Sequence, residues 1–193
     1  IEKNIVIVTY SSGEIYALKE SDGSTIWLDN LSSSGFFIQS NVNDIQAPIT
    51  IESKSVYVPT FSDKLIVYDL VTGKEKWNVK VSSISPLVIS GNTIFVLDTT
   101  SKLLCLDKLT GKLLWAAQLR VSRKGEDVTW YGPLLSTNKL LLVGSDGLVL
   151  SLSPFSGKIL SKTQFEEGII SYPFQVKENI FLISEKGNLF ILG

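Results

Sequence analysis

Four copies of one short unit constrain what this chain can fold into. Residues 14–23 run Glu14-Ile-Tyr-Ala-Leu-Lys-Glu-Ser-Asp-Gly23 and are followed by Trp27. Residues 64–73 run Lys64-Leu-Ile-Val-Tyr-Asp-Leu-Val-Thr-Gly73, followed by Trp77, and Lys102-Leu-Leu-Cys-Leu-Asp-Lys-Leu-Thr-Gly111 is followed by Trp115. A fourth copy ends Pro154-Phe-Ser-Gly157 and has Ser161 in the place of the Trp. The glycines recur after 50, 38 and 46 residues, the spacing of propeller blades. Upstream of the later copies an apolar run opens at Pro48, Pro86, Pro133 and Pro173.

Within each unit the segments are short and rich in Val, Ile, Leu, Phe and Tyr, and Ser90-Gly-Asn92, Asp146-Gly147 and Lys186-Gly-Asn188 punctuate them as turns. The unit after Pro48 reads as four strands, about Ile49–Glu52, Ser55–Thr60, Lys64–Asp69 and Glu75–Lys80. The first unit lacks an opening strand and the last lacks a closing one, so the expectation is 18 strands. The fold class is therefore all-β: a propeller of four-stranded antiparallel blades. It is expected as one partial domain over 1–193, with blade units at about 1–30, 45–80, 84–119, 131–165 and 171–193.

Each repeated residue has a physical task. Gly tolerates positive φ and ends a tight turn. Asp69 and Asp107, four residues before their Gly, can accept backbone N–H bonds in that turn. The Trp is placed to cover the neighbouring blade's turn while its N–H finds a carbonyl. Gly23, Trp27, Gly73, Trp77, Gly111, Trp115 and Gly157 are thus assigned to blade docking rather than to a ligand. Ser161 breaks the series; that seam is expected to be looser, or to use Phe165 instead. Cys105, which takes the place of Ala17, Val67 and Ser151, reads as core filler.

Composition narrows the function classes. Lys and Arg number 18 against 19 Asp and Glu, so the basic face that phosphates demand is not expected. The absence of His removes Ser-His-Asp and Cys-His catalysis and the commonest transition-metal ligand. One Cys allows no internal disulfide. No aliphatic run approaches the ~18 residues of a membrane span. No catalytic, cofactor or metal residues are assigned, and the chain is not expected to be an enzyme. It opens at Ile1 rather than Met, as a processed chain or a piece of a larger one would. An open set of blades leaves edges and faces uncovered, so pairing with a missing half or with a second copy is expected.

The unit Leu-x-x-Leu-Asp-x-x-Thr-Gly-Lys-x-x-Trp resembles the PQQ-type propeller repeat over essentially the whole chain. The order Asp44-Ile-Gln-Ala-Pro-Ile49, then Val79 to Pro86, then Gly144-Ser-Asp-Gly147 and the terminal Lys186 to Leu192, is most similar to the C-terminal half of the BamB family. That family comprises propeller lipoproteins of the outer-membrane β-barrel assembly machinery. The resemblance implies an eight-bladed ring, a periplasmic location in a Gram-negative bacterium, and an anchor on the outer membrane through an N-terminal lipid. It also implies a non-enzymatic role, binding the barrel-forming subunit. The family's acidic contact loop falls at Asn41–Pro48, where Asp44 matches one acidic position and Gln46 replaces a second Asp; Asn43 lies beside them. Two other classes stay open: a ligand-binding or sensor propeller of a multidomain protein, and a fragment of a quinone-dependent dehydrogenase.

Irregular loops are where function is expected on such a scaffold. The stretches from Trp27 to Pro48 and from Trp115 to Pro133 span 21 and 18 residues, against 9 from Trp77 to Pro86. The first carries Phe36 and Phe37. The second carries Arg120, Arg123, Lys124, Glu126, Asp127 and Trp130, a mixed-charge set with an aromatic that suits protein recognition. The expected partner-binding residues are Asn43, Asp44, Gln46, Arg120, Arg123 and Trp130.

Overall fold

The computed structural model describes residues 4–31, 45–61 and 63–192. The chain is all-β, and its contacts group into two compact units, Ile1–Ile84 and Ser85–Gly193.

The first unit holds two antiparallel sheets. One is three-stranded, β1 (Ile5–Thr9), β2 (Glu14–Lys19) and β3 (Thr25–Asn30), in that spatial order. The other is four-stranded, β4 (Thr50–Glu52), β5 (Ser55–Pro59), β6 (Leu65–Asp69) and β7 (Glu75–Val79), also in sequence order. Each strand of this blade is within one residue of its expected bounds. The central strands β5 and β6 are buried along nearly their whole length. That explains why they read as unbroken apolar runs rather than alternating ones: both faces of a blade's middle are covered. Ile5, Ile15 and Ala17 of the first blade share a core with Val56, Val58, Ile66, Tyr68 and Leu70 of the second.

The second unit repeats the pattern. Strands β8 (Val88–Ser90), β9 (Thr93–Leu97), β10 (Lys102–Asp107) and β11 (Leu113–Gln118) form the third blade. After it come two short strands, β12 (Ser122–Arg123) and β13 (Glu126–Asp127), which pair only with each other. The fourth blade is β14 (Trp130–Ser136), β15 (Lys139–Gly144), β16 (Leu148–Leu152) and β17 (Ile159–Gln164). The fifth is three-stranded, β18 (Phe174–Val176), β19 (Asn179–Ile183) and β20 (Leu189–Leu192). The described residues thus contain 20 strands. Eighteen are those expected, and the extra pair is the β12–β13 hairpin, which lies in a stretch expected to be irregular.

The repeat is reproduced atom by atom at its turns. The Gly N–H donates to the carbonyl four residues earlier in all four copies: Gly23 to Lys19, Gly73 to Asp69, Gly111 to Asp107 and Gly157 to Ser153, at 2.8–2.9 Å. Asp69 Oδ1 accepts the N–H groups of Val71 (3.1 Å) and Thr72 (2.9 Å), and Asp107 Oδ1 accepts those of Leu109 (3.1 Å) and Thr110 (2.8 Å). Just before each turn the outer strand pairs Ala17 with Trp27, Val67 with Trp77, Cys105 with Trp115 and Ser151 with Ser161, and a bulge follows each pair. Bulges re-aim side chains, and here two of the tryptophans can be followed to their targets. Trp27 Nε1 donates to Leu70 O (2.9 Å) and Trp115 Nε1 donates to Pro154 O (3.1 Å), each carbonyl three residues before the next blade's Gly. Trp77 packs edge-on to Tyr57 of its own blade. Cys105 is 1% exposed inside the core shared by the third and fourth blades, and burial pushes its thiol pKa up to about 11.

At the fourth copy Phe165 packs against Phe190 of the fifth blade, with ring centroids 4.6 Å apart. Part of the seam work that Ser161 cannot do has moved four residues along the chain.

Candidate partner-binding site

The loop between the third and fourth blades is ordered by its own backbone. Lys124 (φ 52°) and Gly125 (φ 87°) form a two-residue turn with both φ angles positive, the geometry that suits a twisted hairpin. Leu119 N donates to Ser101 O (2.8 Å) at the loop's entrance, and Val128 N donates to Val121 O (2.8 Å) behind the hairpin.

Trp130 closes the loop from beneath. It is 5% exposed, sits in the core of the third and fourth blades, and donates its indole N–H to Arg120 O at 2.7 Å. Its role is to hold the Arg120 backbone while Arg120 and Arg123 face outward. Both arginines reach the same residue: Arg120 forms an ion pair with the Asp146 carboxylate, and Arg123 Nη1 donates to Asp146 O at 3.0 Å.

Asp146 is therefore the centre of the site. It sits in the Gly144-Ser-Asp-Gly147 turn between β15 and β16, where Gly147 N donates to Gly144 O at 2.9 Å. Its Oδ1 also accepts Leu148 N (3.2 Å), and its carbonyl accepts Gln164 Nε2 (2.8 Å) as well as Arg123. Neighbouring Ser145 ties the turn to the loop: Thr129 N donates to Ser145 Oγ (3.0 Å), and Ser145 N donates to Thr129 O (2.7 Å). Charge-assisted bonds to a carboxylate that is only 12% exposed fix an arrangement more firmly than surface pairs do.

Between hairpin and turn lies an open cleft of about 320 Å³. Arg123, Lys124, Glu126, Asp127, Asp146 and Glu166 supply its charged wall, two cations against four anions. A concave, mixed-charge surface on a braced loop can recognise the charged side chains of a protein partner.

The sequence-expected site residues are thus brought together only in part. Arg120, Arg123 and Trp130 form one assembly in the second unit. Gln46 is exposed between buried Ile45 and Ala47 in the first unit. Asn43 and Asp44, with Phe36 and Phe37, lie outside the described residues. Asp146, Gln164 and Glu166 were not expected in the site. Asp146-Gly147 reads as an ordinary hairpin turn, and nothing in the sequence ties it to residues 23 and 26 positions earlier.

A family model described as outer membrane protein assembly factor BamB matches residues 1–117 and 101–192. Among solved structures, BamB from Moraxella catarrhalis is similar, with a TM-score of 0.79 and 18% identity over 99% of this chain. The computationally designed Ika8 protein gives 0.72 at 14% identity over 99% of the chain, and the designed Ika4 protein 0.58 at 15% over 76%. At these identities the likeness is one of fold. This chain spans 55% of the BamB structure and 56% of Ika8. No curated protein sequence matches the chain.

Proposed function

The chain belongs to the family described as outer membrane protein assembly factor BamB, and we propose that it acts as a non-enzymatic scaffold of the outer-membrane β-barrel assembly machinery. In this reading the blades are a rigid support. The loop held by Asp146 binds the periplasmic domains of the barrel-forming subunit, together with the loop around Asp44 and Gln46. The protein works in the periplasm, peripheral to the outer membrane, in a longer chain whose further blades complete the ring.

The family match along the whole chain carries this reading. The site geometry agrees with it. The cleft wall is made mainly of Lys, Arg, Asp and Glu side chains, a mixed-charge surface suited to a protein partner. The residues that recur in the repeat are consumed in packing, which leaves the irregular loops as the surfaces able to tell one partner from another.

The test is a pull-down of the complete protein with the periplasmic domains of the barrel-forming subunit. Capture is expected, and Asp44→Arg and Arg123→Glu should each weaken it by at least tenfold. Absence of capture with the complete, folded protein would overturn the assignment.

A further inference from the structure

Leu109 and Phe155 are the two most exposed large apolar side chains among the described residues, at 73% and 78%; no other exceeds 58%. Both occupy one place in the repeat, two residues before the turn glycine, which is Gly111 in the third blade and Gly157 in the fourth. Single exposed apolar residues are ordinary on a protein surface. These two recur at the tips of equivalent turns, at the same end of neighbouring blades. Leu109 has the fourth blade after it and is still exposed, so exposure at this place is set by the turn itself.

The backbone of both turns is satisfied from within. Every N–H of residues 107–112 donates to an acceptor of the chain, those of Leu109 and Thr110 to Asp107 Oδ1 and that of Gly111 to Asp107 O. The same holds for residues 153–158, where Phe155 N donates to Ser153 Oγ (3.3 Å), Gly157 N donates to Ser153 O (2.8 Å), and Pro154 has no N–H to place. Such a turn can leave water without orphaning a donor, which is what entry into a lipid interface demands.

Lysines surround the tips. The turns at this end of the second unit carry Lys108, Lys112, Lys139, Lys158 and Lys177, against Asp107 and Glu178. Asp107 is committed to its own turn. The opposite end of the strands is the acidic one, with four carboxylates and two cations along the Asp146 cleft. We infer that the turn end of the third and fourth blades binds an anionic lipid surface. Leu109 and Phe155 enter the headgroup region, and the lysines beside them are drawn by the negative surface potential of the lipid phosphates. Tips that stand out from the protein suit a soft, flat acceptor, whereas a protein partner would need a matching pair of sockets. This surface is separate from the cleft around Asp146 and does not depend on the assembly role.

The test is flotation of the full chain with vesicles of phosphatidylcholine and phosphatidylglycerol in equal parts, set beside vesicles of phosphatidylcholine alone. Binding is expected to the anionic vesicles only, and high salt should release it. Leu109→Ser/Phe155→Ser and Lys112→Glu/Lys158→Glu should each weaken binding at least tenfold at an unchanged melting temperature. Lys102→Glu/Lys186→Glu, the same charge change at the opposite end of the blades, should bind as the wild type does. Absence of binding to the anionic vesicles would overturn the inference, as would equal binding to phosphatidylcholine alone or equal loss in the Lys102/Lys186 pair. So would a dimer in the absence of lipid that Leu109→Ser/Phe155→Ser dissolves, because the tips would then belong to a second copy of the chain.

Discussion

The ring of Trp27 lies so close over Gly73 that a Cβ added there would stand 2.7 Å from two indole carbons. Trp115 makes the same approach to Gly157, again at 2.7 Å. In both cases the glycine also has positive φ, 69° and 66°. One small residue therefore serves two ends, the turn of its own blade and the docking surface for the blade before it.

Gly73→Ala should accordingly cost more than a turn glycine normally does. The left-handed backbone contributes roughly 1–2 kcal/mol and overpacking against the indole roughly 1–3 kcal/mol more. Gly23 has the same φ, 71°, but nothing within 4 Å of its added Cβ. In the 193-residue chain alone, Gly23→Ala should show only the backbone part, about 1–2 kcal/mol. Urea denaturation of the two variants checks this. Equal losses would mean that the indole contact contributes nothing.

Acid should loosen the repeat turns. Hydrogen bonds led by the Thr72 N–H hold the Asp69 carboxyl at a pKa of about 2, and the Thr110 hydroxyl is the first cause that lowers Asp107. A carboxyl whose folded pKa lies below its unfolded value of roughly 3.9 stabilises the fold fully above that pH. The contribution is lost as pH falls through the folded value. The urea midpoint should therefore drop between about pH 4 and pH 2, and the drop should be shallower in Asp69→Asn/Asp107→Asn. Identical acid profiles would refute the assignment.

The single thiol should be silent in the native state. Burial raises the Cys105 pKa to about 11, so at pH 8 only about one molecule in a thousand carries a thiolate. A thiol reagent at that pH should label nothing until urea is added, and then one site per chain. Cys105→Val should fold, because Val67 holds the equivalent place in the second blade.

Asp146 should govern the order of the hairpin. Asp146→Ala removes the Arg120 ion pair and the acceptor for Leu148 N. Hydrogen exchange at residues 120–128 should quicken at least tenfold, while β9 and β10 in the blade core stay protected. Unchanged exchange in the loop would show that Trp130 and the backbone bonds suffice.

How legible these features were depends on how local their causes are. The turns at Gly73 and Gly111 and the Asp acceptors are written into ten-residue stretches, with the tryptophans four residues beyond, and their geometry follows the repeat. The β12–β13 hairpin is one turn long and uses Lys124 at positive φ, an uncommon choice that carries no strong turn signature. Asp146 was hidden for a different reason: its partners come from the preceding loop and from β17, and only the folded blade brings them together. The replacement of Trp by Ser161 is visible in the sequence as a gap in the series, but the packing of Phe165 on Phe190 is not.

In the proposed function the blades carry stability and the loops carry recognition. The most direct measurement is calorimetric binding of the complete protein to the periplasmic domains of the barrel-forming subunit, set beside the melting temperature, for Arg123→Glu and Gly157→Ala. Arg123→Glu should lose at least tenfold in affinity, with a fall in melting temperature smaller than that of Gly157→Ala. Gly157→Ala should melt several degrees lower and bind as the wild type does when folded. The reverse pattern, with affinity lost at the seam glycine and kept at the hairpin arginine, would contradict the account.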